Sequence, residues 1–463
     1  MLVVCLFVGF ITMLDVSIVN VALPSIEHGL HAGPGQLQLV VAGYMLAFGL
    51  ALVPAGRLGD AGSRRAIFMT GLTGFALTSL AAGLAPDDTT LVVARLLQGA
   101  SAGLLNPNVI GLFQQMFTGV ERGRAFGLFG TSISVSTALG PVLGGVIIAV
   151  AGAENGWRWI FGINVPIVAV ALVLAWRVLP RTPPRPGPRR LDGVGLVLLA
   201  LAVVTVMLPF VLTTGVGDDP ARWWWLVVAA VMTAAAVLWE RGYHRRTGAA
   251  VLDPRVIRVP VFRNGALLGT AYYGGFSTLF LVVTLHFQRD LGYTPLHAGL
   301  IGMPFAVGAA VTSGLSGRWV ARYGRALVVT GLVTVLVGIA GTFALVHVVG
   351  EDARAAAGWG VAVAMLVAGS GSGVVISANQ TLTLSGVPSE RSGAAAGVLQ
   401  VGSRIGGAVG LATVLSTYYA TRAGGATGAA AAGYGLCVTG AFVAVALVCG
   451  VVDLRDRRAA PRS

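Results

Sequence analysis

The sequence predicts an all-α polytopic membrane protein of fourteen spans, two six-helix bundles with two further helices inserted between them. Three observations predict it. Of 463 residues, 56% are hydrophobic and only 11% are charged, whereas soluble domains carry about 25% charged residues. Uncharged runs of about 20 residues recur along the chain, the length that crosses a bilayer as a helix, where a barrel would show alternating segments of about ten. A glycine-led basic segment, Gly56 to Arg65, is echoed by Gly317 to Arg325. Such internal echoes mark the repeated halves of secondary transporters, whose substrate binds near the midplane between them.

Taken in order, the spans read as 3–23, 36–56, 66–85, 91–116, 126–150 and 158–178, then 193–213 and 223–240, then 265–287, 296–316, 326–348, 358–384, 393–418 and 428–452. The first could pass for a signal peptide, but it lacks a basic lead and a small-residue cleavage site, and Asp15 and Asn20 interrupt it. It is read as a span, with a short cytoplasmic lead expected before Met1. The eighth is short and flanked by tryptophans, so twelve spans with a re-entrant pair is the alternative. A proline-stiffened linker, Arg181 to Arg190, and a basic stretch, Arg241 to Arg263, bracket the seventh and eighth spans. This divides the chain into an N-terminal bundle (1–180), a linker with two inserted helices (181–245), and a C-terminal bundle with its tail (246–463).

The net charge of +13 comes from arginine alone, for the chain has no lysine. With a cytoplasmic N-terminus, 24 of the 31 arginines fall in cytoplasmic connections or the tail, five fall outside, and Arg95 and Arg404 lie within spans. That asymmetry is the positive-inside rule, and it places both termini in the cytoplasm. The charge therefore reports topology and contact with anionic lipid, not nucleic acid. Cys5, Cys437 and Cys449 all fall in predicted spans without metal-ligand spacing, so no disulfide or metal site is expected. The histidines are scattered, with no HExxH-type pair and no nucleophile constellation, and no phosphate-binding loop occurs.

Asp15 is the most informative residue. A carboxylate in an apolar span costs roughly 2.5 to 3.5 kcal/mol on insertion scales, so its default reading is functional: a proton carrier, or the partner of a buried cation. A permanent ion pair or interhelical hydrogen bond is the structural alternative. Arg95, in the fourth span, lies at a similar depth. Arginine keeps its proton in a protein, so Arg95 holds a carboxylate or an anion and is not itself the carrier. Gln98 shares its face one turn on.

Five segments in order carry a family resemblance: Leu14 to Pro24, Gly56 to Arg65, Arg95 to Gly99, Gly140 to Gly145, and Trp157 to Pro166. Together they resemble the major facilitator superfamily, and within it the fourteen-helix drug:proton antiporters, over essentially the whole chain. The resemblance implies the major facilitator fold, a role for Asp15 and Arg95 in proton coupling, and a cytoplasmic gating loop at Gly56, Asp60, Arg64 and Arg65. The echo extends that loop to Arg318, Arg322 and Arg325. Ala61 and Ser63 depart from the family pattern, where a basic residue and a glycine are usual, so one gating ion pair is missing or replaced. Gly140, Pro141, Gly144 and Gly145 match a pattern typical of exporters; on physical grounds alone they say only that a helix bends and packs closely.

For the substrate cavity the candidates are Asn20, Gln98, Tyr272, Tyr273, Phe276, Asn379, Gln400 and Arg404. Arg404, close to the midplane by helical rise, contacts an acidic or carbonyl-rich substrate, pairs with Asp15 in one conformation, or bonds to a backbone carbonyl. The last six spans hold no membrane-centred acid; such acids often accompany recognition of organic dications in the family that the chain resembles, so that resemblance, with Asp15 set against Arg95 and Arg404, implies neutral or weakly acidic amphiphiles over dications. The expected function is a proton-coupled exporter of drug-like or natural-product amphiphiles, a monomer with no cofactor beyond the proton gradient. An uptake symporter of the same fold, or a membrane-embedded enzyme or sensor, is the alternative.

Overall fold

The computed structural model describes residues 1–61, 63–152, 154–179, 192–213, 218–247, 259–293, 295–348, 354–388 and 392–459. The linker arginines 181, 185, 189 and 190, together with 255, 258, 391 and 462, lie outside the described residues.

The N-terminal half contains α1 (Leu2–Leu30), α2 (Pro34–Ala61), α3 (Arg64–Gly83), α4 (Asp88–Met116), α5 (Gly119–Ala151), α6 (Gly156–Gly162) and α7 (Asn164–Val178). Two further helices follow, α8 (Gly193–Val211) and α9 (Trp224–Thr247). The C-terminal half contains α10 (Pro260–Leu285), α11 (Pro295–Tyr323), α12 (Arg325–Val348), α13 (Arg354–Ser385), α14 (Ser392–Ala423) and α15 (Gly428–Ala459). Helices α6 and α7 share one span, broken at Ile163 because Pro166 has no N–H for the carbonyl one turn back.

Thirteen of the described helices are long and apolar enough to cross a membrane, counting α6 and α7 together. Helix α4 is the exception. It is 29 residues long, but Arg95, Gln98, Asn106, Asn108 and Gln114 are buried along it, so its polarity faces the protein instead of lipid. It packs between α2 and α3. The outward faces carry large apolar side chains such as Val170, Trp176, Val197, Leu238, Val337 and Val448, a surface suited to hydrocarbon.

Helix α1 runs further than the expected 3–23, through Pro24 to Leu30, and stops where His31 turns left-handed at φ 50°. Asp15 therefore sits close to the middle of its helix. Helix α4 starts at Asp88, capped by Asp87, whose carboxylate accepts the Thr90 N–H at 2.7 Å. Arg95 thus enters about 10 Å from that end at helical rise.

The inserted pair is held together by Asp192. Its carboxylate accepts the Gly195 N–H at 2.8 Å, capping α8, and the Trp239 indole N–H at 2.9 Å from α9. Helix α8 packs along α2 and α14, so the insert covers one seam between the halves, and α9 lies outside it.

The halves pack most extensively at two crossings, α2 on α14 and α5 on α11. Both crossings need glycine. A Cβ on Gly56 would collide with the Gly393 carbonyl, and one on Gly317 with the Gly123 carbonyl, so each helix touches backbone across the interface. These crossings lie at the end of the molecule that carries Arg57, Arg64, Arg65, Arg122, Arg318 and Arg322. An apolar cluster seals that arginine-rich end: Leu52, Val53 and Phe113 of the first half pack with Leu384, Ala396 and Leu399 of the second.

Candidate functional site

Asp15 and Arg95 are 0% and 1% exposed, so both charges are withdrawn from solvent and need partners. They have them. Arg95 Nη1 donates to Asp15 Oδ2 at 2.6 Å and to Gln98 Oε1 at 2.8 Å, while its Nε donates to the Val40 carbonyl at 3.1 Å. The other carboxylate oxygen accepts from Gln98 Nε2 and from Asn164 Nδ2, each at 2.9 Å. Both amides also donate to the Ser79 hydroxyl, at 3.2 and 3.1 Å, and that hydroxyl donates to the Phe161 carbonyl at 3.0 Å. The Tyr44 ring lies under the Arg95 guanidinium, 4.2 Å from its centroid, and Trp157, Ile160 and Phe161 belong to the apolar cluster beside it. Five spans of the first half, counting α6 and α7 together, thus meet around one carboxylate, which accepts from Arg95, Gln98 and Asn164.

Chain geometry explains how. Arg95 and Gln98 are three apart on α4 and share a face. Asn164 reaches Asp15 because the break at Ile163 restarts the helix there, presenting the first side chain of α7 inward.

Next to this network α1 is joined to α5. Pro141 provides no N–H for the Thr137 carbonyl one turn earlier, and Ser17 supplies the missing donor at 2.9 Å. Gly140 and Gly144 let α5 approach; a Cβ at either would press on Ser17 or Ile18. Gly145 has nothing within 4 Å of a Cβ position, so it is not part of that contact.

At the arginine-rich end Asp60 forms a clasp between the halves. Its carboxylate accepts the backbone N–H groups of Gly393 at 3.1 Å and Ala394 at 2.9 Å, the first turn of α14, where a helix dipole favours negative charge. Arg64 pairs with Asp60 and donates to the Gly111 carbonyl at 2.5 Å and to Ser392 Oγ at 3.1 Å. Gln114 bridges to the Leu384 carbonyl at 3.1 Å. Arg65 instead stays within its half, donating to the carbonyls of Leu179 and Trp176 at the end of α7. Arg325 mirrors it. Its Nε pairs with Asp453 on α15 and its Nη1 with Asn379, both at 2.5 Å.

Between α5 and the second half lies a small cavity, lined by Phe276, Phe280 and Phe305 and by Ser134, Thr137 and Ser372. No hydrogen bond between described residues joins the halves further from the arginine-rich end than the contact of Arg404 with Met45 and that of Thr131 with Ala310.

A family model described as Major Facilitator Superfamily matches residues 5–411 and, separately, 265–458. The chain belongs to the Major Facilitator Superfamily. It is a membrane transporter and not an enzyme. Among its relatives, a puromycin resistance protein of Streptomyces alboniger is 34% identical over 98% of this chain and 89% of its own length. A tetracenomycin C resistance and export protein of Streptomyces glaucescens is 31% identical over 89% of this chain and 74% of its own. The human organic anion transporter MFSD10 shares the fold, with a TM-score of 0.69 at 15% identity over 98% of both chains.

Several residues stand elsewhere in this superfamily member than the sequence suggests. Asn379 is not in the cavity: it accepts from Arg325 and donates to the Gly265 carbonyl at 3.0 Å, an anchor inside the second half. Gln98 is committed to the Asp15 network and is fully buried. Arg318 and Arg322 are exposed and make no bond across the halves; what the echo at 317–325 contributes to the interface is Gly317. Asn20 is exposed and Gln400 partly so, each without a hydrogen bond to a described residue. Tyr272 is turned into the second half, its hydroxyl 2.6 Å from Ser372 Oγ. Tyr273 and Phe276 remain partly exposed and stack edge to face at 5.6 Å. Arg404 does not approach Asp15; it lies 4.5 Å over the Phe48 ring. Asn164, Ser79, Ser392 and Asp453 were not singled out from sequence. Asn164 had a signal, a polar residue two before Pro166 inside an apolar run; Ser79 had none.

Proposed function

We propose that this transporter is a proton-coupled exporter of drug-like or natural-product amphiphiles that works by alternating access. The observation that carries the reading is the carboxylate of Asp15, buried in mid-membrane and tied to Arg95, Gln98 and Asn164. Such a group is retained in hydrocarbon when it carries charge or protons. Export as the direction is supported by the resistance and export roles for which the relatives are named.

With the arginine-rich end in the cytoplasm, as the positive-inside rule requires, the clasp of Asp60 on α14 closes the inner side and the conformation faces outward. A proton arriving from outside binds Asp15 and removes an acceptor that Arg95, Gln98 and Asn164 share. Helix α1 is then free to shift. Through Ser17 and Gly140 it moves α5, whose other end forms the crossing with α11. Loss of the inner clasp opens the cavity to the cytoplasm, substrate binds, and the proton leaves inward. Each proton contributes about 2.3 kcal/mol per 100 mV of inside-negative potential. The fold works as a monomer and needs no cofactor.

The test is pH-driven transport in proteoliposomes with wild type and Asp15→Asn. The neutral amide cannot carry the proton, so uphill efflux disappears in the variant while substrate binding and substrate-for-substrate exchange persist. Uphill, pH-driven efflux by Asp15→Asn at the wild-type rate overturns the proposal.

A further inference from the structure

Among the described residues three arginines are buried, and each has a carboxylate: Arg64 has Asp60, Arg95 has Asp15, and Arg325 has Asp453. Arg404 differs. Its one hydrogen-bond contact among the described residues is with the Met45 thioether at 3.7 Å, and its guanidinium otherwise rests on the Phe48 ring. A thioether is a weak acceptor, and a guanidinium offers five N–H donors in a planar fork that suits a carboxylate. A ring face returns far less than the desolvation of a charge costs. The side chain is partly exposed at the seam between α14 and α2, so a ligand between the halves can reach it.

Its ionisable neighbours are the phenols of Tyr273 and Tyr44. From Tyr273 an unbroken run of rings leads into the cavity. Tyr273 meets Phe276 at 5.6 Å, Phe276 meets Phe305 at 5.8 Å, and Phe305 meets Phe280 at 4.7 Å. Phe276, Phe280 and Phe305 of this run line the cleft beside α5. A cation at one end and aromatic faces along the side select a flat ring system that ends in a negative charge.

We propose that Arg404 is the anion-binding group of the transport site and that the preferred substrates are aromatic carboxylates or phenolates, their rings lying against Tyr273, Phe276 and Phe305. This rests on the exporter reading for its setting but concerns binding alone.

The experiment is equilibrium binding to the purified protein in nanodiscs, read by ligand fluorescence. Three probes of one shape are compared: anthracene-9-carboxylate, the neutral anthracene-9-carboxamide, and the cationic 9-aminomethylanthracene. Wild type binds the acid at least tenfold more tightly than the amide, and the cation most weakly. Arg404→Gln removes the preference, weakening the acid about tenfold and leaving the amide within twofold; Arg404→Lys restores part of it. Phe276→Ala weakens acid and amide alike. Equal binding of acid and amide by wild type, an unchanged preference in Arg404→Gln, or no binding of the acid overturns the inference. Asp15→Asn, measured in parallel, keeps the acid preference. Failure of pH-driven export would therefore leave this result standing, and failure of the anion preference would leave export standing.

Discussion

Asp15 shows how much one residue of a membrane protein can specify and how much it cannot. Its position in an apolar run already says that the charge is costly and needs a partner, and Arg95 at similar depth is a candidate that sequence can name. That Gln98 is the second partner and Asn164 the third is invisible locally, because Asn164 lies 149 residues away and reaches Asp15 through the break between α6 and α7. Asn164→Ala leaves one carboxylate oxygen with Gln98 as its single donor, a loss of about 1 to 3 kcal/mol for a charged, buried group. Its thermal unfolding midpoint in detergent drops accordingly, while Asn20→Ala, at an exposed position without such bonds, leaves the midpoint unchanged. Ser17→Ala is milder. It orphans the Thr137 carbonyl that Pro141 cannot serve, and about 1 kcal/mol is lost in the same assay.

At the scale of elements, glycine decides which helices can cross. Gly56 against Gly393 and Gly317 against Gly123 bring backbones together at pseudo-symmetric positions, and Asp60 adds a carboxylate to the first turn of α14. Val120 at the start of α5 and Trp319 near the end of α11 are exposed on either side of one crossing and are suitable sites for spin labels. In Gly317→Leu the closed-state distance between the labels is lost and a longer one replaces it. In Asp60→Asn the two distances coexist, because the amide keeps a weaker acceptor for Gly393 and Ala394 but loses the ion pair with Arg64. An unchanged distance distribution in both variants removes the clasp from the account. The echo of Gly56 to Arg65 in Gly317 to Arg325 is readable in the sequence, yet its arginines mislead: Arg318 and Arg322 face out, and Arg325 is used inside its own half. Basic residues in a turn satisfy topology wherever they point, whereas a glycine at a helix crossing has one purpose.

For the whole molecule, the decisive feature is that hydrogen bonds between the described residues join the halves at the arginine-rich end and at mid-depth, and not beyond. With the arginine-rich end in the cytoplasm, as proposed, the aromatic cavity opens to the outside. Ser134→Cys, on the cavity wall in a background without Cys5, Cys437 and Cys449, is labelled by a membrane-impermeant maleimide added outside; Ser392→Cys, buried under the clasp, is not labelled from the inside. The reverse pattern shows an inward-facing resting state. By itself the sequence determined the helical membrane class, the near-count of spans, the basic end and the presence of a mid-membrane carboxylate with two embedded arginines. Hydrocarbon imposes those features on each segment separately, through length, apolarity and charge. Only the tertiary structure decided that Asp15 belongs to Arg95 and not to Arg404, that Asn379 serves Arg325 and not a ligand, and that Arg404 has no carboxylate among the described residues. Such pairings depend on which faces of distant helices meet, and that is set by close packing at glycines, prolines and helix breaks and not by any local spacing along the chain.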